Sequence, residues 1–139
     1  VEFIDVEADL SNGLPMFHMV GYLSSEVKEA GERVRTAIRN SGLVIPAKKI
    51  VVNLSPADVR KRGTAFDLPI AVSILASLGV VSQERLEKTV FVGELSLDGR
   101  VRSVREFCRL SWRQKNMVFN PVWCQKKMKV KESLSRELK

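Results

Sequence analysis

K-I-V-V-N-L-S-P-A-D-V-R-K-R-G-T-A-F-D-L-P-I-A-V-S-I-L-A-S-L, residues 49–78, is three kinds of chain in succession. Residues 49–54 form a β-branched apolar run, the composition of a buried strand. Residues 55–66 are polar and basic, with Pro56 and Gly63 as breakers, and read as a loop. Residues 67–78 are apolar nearly all round, and Pro69 is compatible with a helix only in its first turn. The reading is a buried helix capped by Asp67 and ended by Gly79. Buried strand, loop and buried helix in that order predict an α/β domain in which helices pack on a sheet.

Towards the N-terminus, Ser24 or Ser25 offers a helix cap, with Glu26 in the first turn where the helix dipole favours an anion. Val27, Ala30, Val34, Ala37 and Ile38 follow at helical spacing until Ser41-Gly42. Residues 1–10 alternate apolar and acidic side chains, as a half-buried strand does. Ser11-Asn12-Gly13-Leu14-Pro15 is a turn cluster, and residues 16–20 read as the returning strand of a hairpin. Towards the C-terminus, residues 84–88 predict a short exposed helical turn and residues 89–93 a strand. Residues 95–104 predict a hairpin closed by Asp98-Gly99. The predicted order is β-β-α-β-α-β-β: one mixed sheet with helices on one face.

Bulk properties fit a single domain of ordinary hydrophobic content, 45% of 139 residues. No apolar run reaches the roughly 18 residues needed to cross a bilayer, so no membrane role is expected. No basic-then-apolar leader opens the chain, and two cysteines without metal-ligand spacing fit a reducing cytosol. A cytoplasmic protein is expected. The net charge of +7 is unevenly distributed: residues 1–104 hold 13 basic and 13 acidic side chains, residues 105–139 hold 10 and 3. Both tryptophans (Trp112, Trp123) and both cysteines (Cys108, Cys124) fall in the second segment.

Three stretches carry a resemblance: D-L-S-N-G-L-P-M-F at 9–17, V-N-L-S-P-A-D-V-R-K-R-G-T-A-F-D-L-P-I-A at 52–71 and F-V-G-E-L-S-L-D-G-R-V-R at 91–102. With E-R-V-R-T-A-I-R-N-S-G at 32–42, they resemble the N-terminal domain of ComM-type competence proteins, which are magnesium-chelatase-subunit-I-like. The resemblance covers residues 1–104 and implies a Lon-protease-like domain with the ribosomal S5 domain-2-like fold. The family starts with one further strand, so the resemblance implies that Val1 lies inside the domain. Full-length members resemble hexameric AAA+ motors that act on DNA during natural transformation. ATP and Mg2+ are implied for those proteins only, because none of the eight glycines here sits in a G-x-x-x-x-G-K-[ST] loop. The implied partners are the AAA+ module of the same protein, DNA through the full-length hexamer, and further copies of the chain.

Lon-type enzymes use a serine activated by a desolvated lysine. The serine position of the resemblance falls on Ala65 and the lysine position near Cys108, so no catalytic residue is expected. Thr64 lacks a placed base. The loop residues Ser55, Asp58, Arg60, Lys61 and Arg62 are the binding candidates. They could contact phosphates, touch the motor or an adjacent subunit, or be a plain solvated loop partly neutralised by Asp58. Arg60 and Arg62 suit phosphate or carboxylate forks better than Lys61. Lys28, Glu29, Glu32, Arg33, Arg35 and Arg39 read as a solvated helix face with weak ion pairs. His18, the only histidine, points to the polar strand face, and no metal site is expected. Glu94 and Asp98 read as turn and edge chemistry. Two alternatives stay open for the whole protein: the motor subunit of a magnesium chelatase, and a degenerate Lon-type peptidase.

After Val104 the resemblance stops. If each codon is read one frame over, residues 105–131 permit G-I-L-P-L-I-L-A-A-K-E-Y-G-I-Q-S-S-L-V-P-E-E-N-E-G-E, an apolar helix, a strand and V-P-E-E-N as the family shows. The expectation is that residues 105–139 are an out-of-frame translation ending at a premature stop. Such a basic, aromatic-bearing tail would bind nucleic acid non-specifically, by accident of composition.

Overall fold

In the computed structural model, residues 4–86 and 89–104 are described, together with the backbone of 128–129. The β-branched run takes the central place of a three-stranded sheet. Strand β3 (Lys49–Ser55) lies between β1 (Asp5–Ser11), which is antiparallel to it, and β2 (Met16–Val20), which is parallel. The predicted hairpin between β1 and β2 is therefore not formed. With β3 inserted between them, the most β-branched strand has its backbone groups bonded on both edges, and α1 (Ser25–Asn40) makes the crossover from β2 to β3.

The register puts Ile50 beside Leu10 and Phe17, Val52 beside Ala8 and Met19, and Leu54 beside Val6. These residues form one sheet face, in the core. The two-residue period leaves Asp5, Glu7, Asp9, Met16, His18 and Val20 exposed on the other face.

Helix α1 buries all five residues predicted from its spacing, together with Gly31. A side chain at Gly31 would place a Cβ 3.0 Å from the Phe17 ring, so glycine lets α1 settle against β2. Ser24 is the N-cap residue, and the helix ends at Ser41 with Gly42 at φ 81°. Its C-terminus is tied to the far hairpin by Asn40 Nδ2, which donates to Leu97 O at 2.7 Å. Helix α2 (Asp67–Ser77) packs against α1 and the same sheet face, burying Leu68, Ile70, Ala71, Ile74 and Leu75, and Gly79 follows at φ 75°. The N-cap position, however, is Phe66, not Asp67, and no side chain caps the helix end. The short α3 (Gln83–Leu86) starts one residue earlier than expected.

A single sheet was expected, and a second one is present. Strands β4 (Glu94–Leu95) and β5 (Arg100–Arg102) form the predicted hairpin around Asp98-Gly99, with β6 (Met128–Lys129) beside β5. Residues 89–93 are not a strand. Gly93 instead clasps the start of α2: its N–H donates to Ala65 O at 3.1 Å and its carbonyl accepts the Leu68 N–H at 3.0 Å. Backbone bonds spent on a helix start cannot serve a sheet ladder.

Candidate functional site

The polar loop between β3 and α2 is pinned at two points. The first is Lys61, which is only 1% exposed. Its Nζ donates to the Pro56 carbonyl across the loop. Its backbone N–H donates to Tyr22 O at 2.8 Å, and its carbonyl accepts the Ser24 N–H at 2.9 Å. These bonds form a short parallel bridge at Leu23 and Lys61, immediately before α1. The sequence reading of Lys61 as a surface cation is thus corrected: backbone pairing turns it inwards, and its amine meets a carbonyl instead of water.

Extended chain alternates its side chains, so an inward Lys61 leaves Arg60 and Arg62 exposed. The Arg60 guanidinium lies 5.7 Å from the ring centre of Tyr22, which is itself exposed. Glu26, in the first turn of α1, faces the same charges. Its carboxyl is held below the usual value first by the Ser24 hydroxyl and its own backbone N–H, then by Arg60 and Arg62. The buried Ser24 Oγ sits beside that carboxylate but completes no hydrogen bond of full geometry. Ser55 is half-buried at the end of β3, followed by a cis Ser55-Pro56 bond, and Asp58 is exposed. Asp58 makes none of the ion pairs found among the described residues.

The second pin is Asp67, which has no exposed surface. Its two oxygens accept from Arg33, Oδ2 from Nε at 2.8 Å and Oδ1 from Nη2 at 3.0 Å, and Oδ2 also accepts the Leu95 N–H at 3.0 Å. Burial pushes the Asp67 carboxyl up, while Arg33 and the Leu95 amide oppose that. The same bonds raise Arg33 above its usual value. Arg33 was read as part of a solvated face. It is instead the partner of a buried charge, whereas the face's other pairs, Glu29–Arg33 at 3.7 Å and Glu32–Arg35 at 3.6 Å, are the expected weak surface contacts.

Between the two pins lie Thr64 and Ala65. Thr64 was read as lacking a placed base and Glu94 as turn and edge chemistry; the fold instead brings them together, and the Thr64 hydroxyl donates to Glu94 Oε2 at 2.8 Å. Ala65 presents a methyl group, and its carbonyl is taken by Gly93. Glu94 and Asp98 do not pair. Asp98 bonds Arg100 through its backbone N–H at 3.0 Å and its guanidinium at 3.2 Å. His18 is exposed on the outer sheet face. Cys108 lies outside the described residues.

Tyr22 and Glu26 were not among the residues singled out for binding. The available signal was position: an aromatic and an acid flank the predicted cap, but nothing local says that the loop beginning at Ser55 returns to them.

A two-layer α/β domain with a rigidly held basic loop is the class these observations define. The family model for ChlI, subunit of Mg-chelatase, matches residues 6–126, and the chain belongs to that family. It is 52% identical over 101 residues to the protein YifB of Salmonella typhimurium, covering 73% of this chain and 20% of that one. It is 48% identical over 101 residues to the competence protein ComM of Haemophilus influenzae, with the same coverage. An uncharacterized protein of Mycobacterium tuberculosis is 42% identical over 104 residues, 75% of this chain and 21% of its own. The chain thus spans about a fifth of the length of the relatives it matches. Among the described residues no helix is long and apolar enough to cross a membrane.

Proposed function

We propose that the chain is a non-catalytic accessory domain of a ComM-like AAA+ ATPase engaged in DNA processing, where it aids ring assembly or the engagement of DNA. The observation that carries this reading is the chemistry of residues 64–67. A methyl group stands at Ala65, the Thr64 hydroxyl is held by a carboxylate, and Asp67 is held by Arg33 and the Leu95 amide. Such groups fasten a helix to a loop and a hairpin, and on this reading the Thr64–Glu94 bond is one of those fastenings and not a nucleophile with its base. The name of the Haemophilus relative supports a role in competence. On this reading residues 1–104 have the Lon-like, ribosomal S5 domain-2-like fold and the protein works in the cytoplasm. ATP and Mg2+ belong to the AAA+ module, the domain's first partner, and DNA and further copies meet it through the hexamer.

The test uses a full-length protein of the family. Deleting the segment equivalent to residues 1–104 is expected to leave ATP hydrolysis in place and to lower hexamer yield or DNA binding. If both survive unchanged, the accessory role is wrong. A second reading, a piece of a magnesium-chelatase motor subunit, is favoured by the ChlI description. Tetrapyrrole-dependent stimulation of the full-length ATPase, without stimulation by DNA, selects it. A degenerate peptidase is the third, and turnover of unfolded casein that disappears in Thr64→Ala selects that one.

A further inference from the structure

Three features meet at the start of α1. Tyr22 is 52% exposed, Arg60 lies over its ring, and Arg62 is exposed two residues further along the loop. The helix begins directly behind them at Ser25, with its first amides and the buried Ser24 hydroxyl. Residues 1–104 have no overall positive charge to attract a polyanion, being balanced at 13 basic and 13 acidic. Any anion recognised here is recognised locally.

We propose that this patch is a contact for single-stranded nucleic acid. Tyr22 stacks a base, Arg60 and Arg62 hold the adjoining phosphodiester, and Glu26 is the neighbouring negative charge that opposes the strand. The proposal rests on the DNA-processing reading only for the choice of DNA as polymer.

The aromatic ring decides between this ligand and a simple acidic surface. Carboxylates need the guanidiniums alone, whereas a stacking face beside backbone-directed cations is how single strands are held without sequence preference. The buried Lys61 gives the cations their fixed placement. Its side chain and both of its backbone groups are bonded, so Arg60 and Arg62 project from a held strand and not from a floppy loop. Glu26 supplies the competition. Its carboxyl is stabilised in the charged form by Ser24 and its own amide and, without an ion pair, by the nearby charges of Arg60 and Arg62, which a bound phosphodiester would neutralise in its place.

Tyr22 is the only tyrosine in the chain, which makes the site separately observable. Fluorotyrosine incorporation places one fluorine label there, and the basic segment 105–139 carries none. The whole chain is titrated with oligothymidylate and, separately, with inorganic polyphosphate of matched charge. Oligothymidylate is expected to move the fluorine resonance saturably, and polyphosphate to move it much less. Arg60→Ala and Arg62→Ala each weaken the response by roughly fivefold and lower its salt slope by about one. Arg60→Lys keeps most of it, showing that the loop still folds, and Glu26→Gln strengthens it by a similar factor. A resonance that ignores oligothymidylate overturns the proposal. So do equal shifts with polyphosphate, which would make the patch a charge sensor, or an unchanged affinity in Glu26→Gln. If the resonance is silent while domain deletion still lowers hexamer yield or DNA binding, this contact fails and the accessory role stands.

Discussion

At the scale of single residues, two buried charges do different work. Asp67 has no exposed surface, and its partner Arg33 is only partly covered. Removing one member of such a pair strands the other, which costs about 3–5 kcal/mol. Asp67→Ala is expected to lower unfolding free energy by that order in urea titrations. The double variant Asp67→Leu with Arg33→Leu is expected to be clearly more stable than the sum of the two single changes predicts. Strict additivity would show that the pair is not coupled. Lys61 makes one side-chain bond and fills the loop, so Lys61→Met should cost about 1–3 kcal/mol, mainly for the orphaned Pro56 carbonyl. Neither charge was legible as buried. A lone Arg33 in a mixed-sign helix face looks solvated, and Lys61 between two arginines looks like the middle of a cationic run. What decided both was a partner far along the chain: Asp67 for Arg33, Tyr22 and Ser24 for Lys61.

At the scale of elements, periodicity read the helices well and pairing poorly. The spacing of Val27, Ala30, Val34, Ala37 and Ile38 is a local property and gave the buried stripe of α1. The alternation of β1 gave its two faces. Which strand lies beside which is non-local, and the turn cluster at residues 11–15 suggested a hairpin where the sheet inserts β3. Asp67 deceived for a related reason: an acid before an apolar helix looks like a cap, yet the helix begins one residue earlier and the carboxylate faces Arg33. The close approach of α1 to β2 makes a sharp prediction. Gly31→Val is expected to destabilise by about 1–3 kcal/mol through overpacking against Phe17, despite removing a flexible glycine from a helix. A rise in melting temperature for that variant would mean that Phe17 gives way. Ile74→Ala, in the fully buried α2 stripe, should cost about 2–5 kcal/mol by the same denaturation measurement.

At the scale of the whole molecule the family was readable, and a shift in composition and the end of the resemblance at Val104 suggest a division of the chain. The relatives match over 101–104 residues while the family model reaches residue 126. We propose that the break at Val104 is a change of reading frame. The codons of residues 105–131 are expected to spell the alternative helix and strand, and codons that do not spell it would falsify the idea at once. On this proposal, restoring the frame is expected to raise the melting temperature, because the alternative reading supplies a helix and a strand of the family's own pattern. Nothing in residue spacing told that the loop 55–66 and the start of α1 form one surface; that required the parallel bridge at Leu23 and Lys61.

One member joins the two ends of the domain. Helix α1 runs about 24 Å at 1.5 Å per residue over its 16 residues. Its first turn carries Glu26 beside the arginine loop, and its last carries Asn40, bolted to the hairpin at Leu97. It therefore behaves as a strut. A pull on Arg60 or Arg62 loads the rod along its length and is delivered at the opposite end of the fold, at the hairpin that holds Leu97.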